Sequence, residues 1–191
     1  LCQEEAIIEI SLTEYDTSWA VAYPPGQFCE SEALASPVIT RKNPNQTGVF
    51  AQPPGLLFSD QATGVVAVSQ SVANIHTITF NSEGACEERT TTQLEILRQG
   101  DASFAYANGA ICYSDSNATF LPTVLIDSLG VFSGEPSVSA LDTIRFIDTS
   151  TGEIDISGST PGEFLITYQT LGTCPDTVSR TILINNRPDA G

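Results

Sequence analysis

The sequence predicts an all-β chain of two small antiparallel β-sandwiches in tandem, each with one disulfide, the pair preceded by an orphan strand. Three observations predict it. The run Thr63-Gly64-Val65-Val66-Ala67-Val68-Ser69 returns 88 positions later as Thr151-Gly152-Glu153-Ile154-Asp155-Ile156-Ser157. At the same offset Ile78-Thr79-Phe80 falls on Ile166-Thr167-Tyr168, Gly84-Ala85-Cys86 on Gly172-Thr173-Cys174, and Leu94-Glu95-Ile96 on Ile182-Leu183-Ile184. A fixed period of this size means two copies of one domain. Second, apolar residues alternate with polar ones in short runs separated by turn residues, and no run keeps the 3.6-residue period of a helix. Third, four of the five cysteines stand at equivalent places in the two copies.

The segment Leu1–Leu12 alternates around Ile8, Ile10 and Leu12 and reads as a single strand. Cys2 precedes Ile10 and Leu12 by the spacing at which Cys86 precedes Leu94 and Ile96, so residues 1–13 are expected to be the last strand of a preceding repeat, or a strand donated to another subunit. Glu14–Thr17 is the linker. The first repeat, 14–98, opens with Trp19, Val21 and Tyr23 on one strand face, turns at Pro24-Pro25-Gly26 and reaches Phe28-Cys29. The second, 99–187, opens with Phe104 and Tyr106, turns at Asn108-Gly109 and reaches Ile111-Cys112, and residues 188–191 lead onward. Pro-Gly and Asn-Gly supply the dihedrals that reverse a chain. Short strands entered through a proline follow at Pro37–Thr40 and Pro122–Ile126, and Gly48-Val49-Phe50 matches Gly130-Val131-Phe132.

The offset then grows, so the second copy holds about six more residues around Ser133–Leu141, which are expected in a surface loop. Leu56–Phe58 matches Ile144–Phe146. Val66 and Val68 alternate with small or polar residues in the first copy as Ile154 and Ile156 do in the second, and the next strand places His76, Ile78 and Phe80, or Phe164, Ile166 and Tyr168, on one face while Thr79 and Thr167 face away. Seven short strands per copy make the architecture immunoglobulin-like in the broad sense. The expected bridges are Cys29 with Cys86 and Cys112 with Cys174, although five cysteines permit other pairings. Each closes a loop of about 60 residues, for which chain entropy suggests roughly 4 kcal/mol. Cys2 is left to pair with a cysteine upstream or in a neighbouring molecule, a free thiol being the alternative.

Charge excludes some functions. Seven Lys and Arg against 23 Asp and Glu give a formal charge of −16, with Lys42 the single lysine. This field repels nucleic acid and anionic lipid. No apolar run approaches the 18 or so residues that cross a bilayer, so no membrane insertion is expected. Cysteine usage points to an oxidising, extracellular setting.

The residues Phe104-x-Tyr106, Cys112, Pro122, Gly130-x-Phe132, Thr151–Ile156, Ser159-Thr160-Pro161-Gly162, Ile166-Thr167-Tyr168, Cys174-Pro175 and Ile182-x-Ile184 resemble the tandem domains of large surface adhesins that Bacteroidota export by the type IX, gliding-associated secretion system. The first copy departs from the pattern, having Gln70-Ser71-Val72-Ala73 where the second has Ser-Thr-Pro-Gly. The resemblance implies an extracellular, non-catalytic array in which repeats act as spacers and some modules bind surfaces. It also implies O-glycosylation at Asp-Ser/Thr followed by a small or apolar residue, which here marks Ser128, Thr143 and Thr177. Asn45 and Asn117 fit the eukaryotic sequon and are read as polar loop residues.

Against this stand the candidates for chemistry. His76 is the only histidine and would have to serve any histidine relay, yet it takes the place of Phe164 and reads as a core residue. No Gly-x-Ser-x-Gly elbow is present. With 23 acids, a carboxylate pair at glycosidase spacing carries no signal. Asp142, Asp148, Glu153 and Asp155 are the best calcium candidates, and no other cofactor is expected. Trp19, Tyr23, Phe28 and Tyr106 could stack on sugars, but their alternation is that of a core face. The expectation is a structural segment of a secreted adhesin or filament, partnered by neighbouring repeats or subunits and without enzyme activity. The alternatives are a module binding glycans or another surface polymer, with calcium as helper, and a filament subunit that donates strand 1–12.

Overall fold

The computed structural model describes residues 8–10, 19–41, 47–83, 87–107, 109–113 and 119–186. The chain divides into two compact units, Leu1–Leu97 and Arg98–Gly191. Among the described residues regular structure is β-strand, save for one 3-10 turn at Val68–Gln70.

In the first unit β1 (Ala20–Ala22) pairs with β4 (Val38–Thr40). A three-stranded sheet joins β3 (Leu34–Ala35), β7 (Val65–Ala67) and β6 (Phe58–Asp60). A four-stranded sheet runs β2 (Gln27–Cys29), β9 (Arg89–Leu97), β8 (Ile75–Ser82), β5 (Gly48–Ala51). The second unit repeats this wiring. There β10 (Phe104–Tyr106) pairs with β13 (Pro122–Leu125), and β12 (Thr119–Phe120), β16 (Glu153–Asp155) and β15 (Phe146–Asp148) form the smaller sheet. The larger runs β11 (Ala110–Cys112), β18 (Thr177–Asn185), β17 (Gly162–Thr170), β14 (Gly130–Pro136). Each unit is an immunoglobulin-like β-sandwich.

The cores follow from strand alternation, which sends every second side chain to one face. Val66, Val68, Ile78, Phe80, Leu94 and Ile96 are buried in the first core with Trp19, Val21, Tyr23 and Phe28. Ile154, Ile156, Phe164, Ile166, Tyr168, Ile182 and Ile184 are buried in the second with Ala102, Phe104 and Phe132. Burying one such side chain stabilises by about 1.5–3 kcal/mol. Trp19 packs on Phe80 with ring centroids 4.8 Å apart, and Phe132 packs on Tyr168 at 4.3 Å.

The structure departs from the sequence expectation at three places. At Pro24-Pro25-Gly26 the chain changes sheet instead of reversing. β1 belongs to the pair with β4, whereas β2 runs parallel to β9, Gln27 opposite Glu95 and Cys29 opposite Leu97. In the second unit β11 likewise runs parallel to β18, so neither sandwich is wholly antiparallel. The extra residues of the second repeat lengthen an edge strand before they form a loop. β14 pairs with β17 from Gly130 opposite Thr170 to Pro136 opposite Phe164, against only Gly48 to Ala51 in β5. Cys112 is a free, exposed thiol while Cys174 is disulfide-bonded, so the Cys112–Cys174 bridge is not formed. Placement explains it: Cys112 ends β11 opposite Asn185, and Cys174 follows β17 near Gly100, whose N–H donates to the Cys174 carbonyl at 2.9 Å. Of the segment 1–12, expected to pair with a preceding repeat or another subunit, only Ile8, Glu9 and Ile10 are described, Ile8 being 81% and Ile10 79% exposed.

Cys29 is also disulfide-bonded. It stands at the Leu97 end of β9, the end away from Glu87 and Glu88. Cys2 and Cys86, and with them the Cys29–Cys86 pairing, lie outside the described residues, as do Asn45, Asn117 and the 14–17 linker.

Candidate binding cleft

Polar groups in both units are committed to local turns. Between β6 and β7, Asp60 accepts the Ala62 N–H at 2.9 Å on Oδ1, and Thr63 Oγ1 donates to the Asp60 carbonyl at 3.4 Å. Between β15 and β16, Asp148 accepts the Ser150 N–H at 2.8 Å, and Thr151 Oγ1 donates to the Asp148 carbonyl at 3.4 Å. This is an Asx turn made twice, 88 residues apart. Both turns end on a glycine in the left-handed region, Gly64 at φ +75° and Gly152 at φ +73°. A Cβ at Gly64 would meet the Phe50 ring at 2.5 Å, and one at Gly152 the Phe132 ring at 2.8 Å. Tyr23 donates its phenol to the Gly64 carbonyl at 2.6 Å, as Tyr106 does to Gly152 at 2.7 Å. Burial pushes both phenols well above the ordinary tyrosine range.

One arrangement is not explained by turn chemistry. On the first unit a cleft of about 620 Å³ is lined by Trp19, Ile39, Val49, Phe80, Arg41, Thr47, Gln61, Ala62 and Glu83. This is within the ordinary size range of small-molecule sites, about 300–1,000 Å³. Alternation of β1 carries Trp19 inward, so that it is only 6% exposed. Its indole Nε1 is buried with no hydrogen-bond partner among the described residues. Such a donor costs about 1–3 kcal/mol left unmet. Arg41, exposed at the end of β4, lies with its guanidinium carbon 6.0 Å from the indole centroid, an attractive cation–π geometry. Gln61 donates Nε2 to the Phe50 carbonyl at 2.8 Å, and Thr47 donates to Glu83 at 2.8 Å. Among the described residues the floor is therefore apolar, and the rim includes the Arg41 guanidinium, the Glu83 carboxylate, the Gln61 amide and the Thr47 hydroxyl. By repeat alignment Ala102 stands where Trp19 stands, so the second unit has no equivalent indole.

The other sequence candidates are placed as follows. His76 is buried in β8, its Nε2 2.8 Å from the Val72 carbonyl, and no carboxylate or nucleophile bonds to it among the described residues. Tyr23 and Phe28 are core residues, and Tyr106, half-buried, stacks on Phe120 at 4.9 Å. The four calcium candidates are not gathered. Asp148 serves its own turn, and Asp155 accepts from Ser157 Oγ at 2.7 Å and from the Gly158 N–H at 2.9 Å, with Arg145 Nε 3.7 Å away. Those bonds hold both carboxyls below the usual carboxylate range, the Ser150 and Ser157 hydroxyls leading. Among the described residues no three His, Cys, Asp or Glu side chains group as metal ligands. Ser128, Thr143 and Thr177 are exposed. Arg41, Gln61 and Glu83 were not singled out in the sequence: they lie on separate strands and turns, and no spacing joins them.

No protein-family model matches the sequence, and no curated protein matches it. Among solved structures the chain is similar to Drosophila OTK, extracellular domains 3–5, with TM-score 0.51 and 9% identity over 88% of this chain and 62% of that one. It is also similar to a SusE-like surface located polysaccharide binding protein from the Bacteroides thetaiotaomicron heparin utilisation locus, with TM-score 0.43 and 14% identity over 90% of this chain. It spans 34% of that protein's length. A further similar structure is Drosophila N-cadherin EC1-4, with TM-score 0.42 and 8% identity, covering 85% of this chain and 47% of that one. The likeness to the OTK domains is one of fold. No helix among the described residues is long and apolar enough to cross a membrane.

Proposed function

We propose that the chain is a non-catalytic, extracellular two-module segment of a secreted surface adhesin, exported by the type IX route, whose modules serve mainly as spacers. The observation that carries this reading is the recurrence of one strand wiring, one core and one Asx turn in both units. In such arrays stability comes from each module and its neighbours, and what the array supplies is reach. The oxidised Cys29 and Cys174 and the −16 charge suit an extracellular setting. Exposure of Ser128, Thr143 and Thr177 suits their glycosylation. Module exchange in the intact protein tests the reading. Replacing the second unit by an unrelated sandwich of equal length should leave cell attachment unchanged, and lost attachment would overturn it.

A second reading, a glycan- or surface-polymer-binding module, is favoured by the cleft of the first unit. Exchange of the first unit separates the two readings, because a spacer can be replaced there and a binding module cannot.

A further inference from the structure

We infer that the disulfides of this chain run from repeat to repeat, Cys29 of one to Cys174 of the next, and that Cys112 is the open end of the series, a bonding site for the cysteine that a following repeat carries at the place of Cys174. This deepens the array reading above, on which it rests, by giving the array a covalent rule. The second repeat holds two cysteines, Cys112 and Cys174. Cys112 is a free thiol and Cys174 is disulfide-bonded, so the partner of Cys174 belongs to another part of the chain.

Equivalent residues are in different states. Cys29 ends β2 opposite Leu97, and Cys112 ends β11 opposite Asn185, each on a short strand parallel to the closing strand of its sheet. Bonds made within each repeat would leave these two cysteines alike, yet Cys29 is oxidised and Cys112 is not. Chain reach selects the partner of Cys29. β9 runs nine residues from Arg89 to Leu97, about 26 Å at the rise of a strand, and Cys29 stands at its Leu97 end. Cys86 precedes Arg89 by three residues, at most about 11 Å of chain, and so stays beyond the roughly 7 Å between Cα atoms that a disulfide tolerates. Cys174 is within reach, because its carbonyl accepts the Gly100 N–H at 2.9 Å and Gly100 follows Leu97 by only three residues. Cys112 holds the place of Cys29 one repeat later, is exposed, and no cysteine of the 191 residues follows Cys174. Closing its bond takes two protons and two electrons from a pair of thiols, and a disulfide oxidant such as glutathione disulfide accepts them and leaves as two thiols.

Peptide mapping of the unreduced 191-residue chain tests the rule, with thiols first blocked by iodoacetamide in urea and the chain then cut with trypsin and a glutamate-specific protease. The expected result is Cys29 linked to Cys174, with Cys112 alkylated. In Cys174→Ser, Cys29 should change from unlabelled to labelled. Cys174 linked to Cys2 or Cys86, or Cys29 still unlabelled in Cys174→Ser, overturns the rule. For the open end, the chain is extended at Gly191 by a further copy of residues 99–191 bearing Cys112→Ser and is incubated with glutathione disulfide. A peptide joining Cys112 to Cys174 should then appear beside the one joining Cys29 to Cys174. Cys112 that stays alkylated there, or is held only as its glutathione adduct, overturns the assignment of the open end. Cell attachment enters none of these readouts: a different bond map leaves the spacer reading standing, and attachment lost on exchange of the second unit leaves the bond map standing.

Discussion

The Tyr23 hydroxyl donates to the Gly64 carbonyl at 2.6 Å across 41 residues of sequence, tying the first strand of the unit to the turn before β7. Tyr106 and Gly152 repeat the bond at 2.7 Å in the second unit. Tyr23→Phe and Tyr106→Phe each leave a carbonyl unmet, and each should cost about 1–3 kcal/mol in urea unfolding of the affected unit. A loss near zero would show that water takes the place of the phenol.

The same phenols set an alkaline limit. Their folded pKa is raised above the unfolded value of about 10, so the neutral form is favoured in the folded state. That contribution is fully present below about pH 10 and is lost as pH rises further. Melting temperature should fall steeply above that pH in the parent and less so in the double Phe variant.

Gly64→Ala and Gly152→Ala combine a left-handed backbone with a Cβ driven into Phe50 or Phe132. The backbone costs about 1–2 kcal/mol and overpacking about 1–3 kcal/mol, so a loss of about 2–5 kcal/mol is expected for each. Urea midpoints measure it. A loss under about 1 kcal/mol would mean that the aromatic ring moves aside at little cost.

Acid acts in two directions. Lowering pH from neutrality relieves the repulsion of a chain at −16 and should raise stability. Asp60, Asp101, Asp148 and Asp155 have depressed folded pKa values, from hydrogen bonds in their own turns. Their contribution is present above the unfolded value of about 3.9 and is lost as pH falls through the lower folded values. Stability should therefore peak at about pH 4–5 and drop below it, with a shallower acid limb in Asp60→Asn/Asp148→Asn. A urea midpoint falling steadily from pH 7 downward would contradict this.

Thiol chemistry distinguishes the cysteines. Iodoacetamide without reductant should label Cys112 and leave Cys29 and Cys174 unlabelled, with both becoming reactive after reduction. Peptide mapping that found Cys112 in a disulfide would restore the pairing expected from the sequence.

Strand faces were the legible part of this chain. Where five or more residues alternate, as in Ile75–Ser82 or Gly162–Thr170, burial follows the written pattern, because period two leaves a strand only one face to bury. Leu34–Ala35 and Thr119–Phe120 were not legible, since two residues show no period. Sheet switching at Pro24–Gly26 was hidden because a proline–glycine turn and a change of sheet use the same residues. The Cys112–Cys174 pairing failed for a related reason: equivalent places in a repeat do not place two thiols within bonding reach. Of the cleft, only Trp19 was readable, and it read as core. Its other walls come from segments that meet only after folding.

The parallel pairing of β2 with β9, and of β11 with β18, bears on what each unit does under tension. The chain enters each unit just ahead of the first strand of the pair and leaves through the second. Because the two run in the same direction, opposite pulls on the chain slide them along each other, and the hydrogen bonds between them must yield together. Glu95 N–H to the Gly26 carbonyl and Glu30 N–H to the Leu97 carbonyl bracket this clasp in the first unit. Leu183 N–H to Gly109 and Tyr113 N–H to Asn185 bracket it in the second. A hairpin pulled from its open end would unzip one bond at a time, whereas this geometry resists in shear.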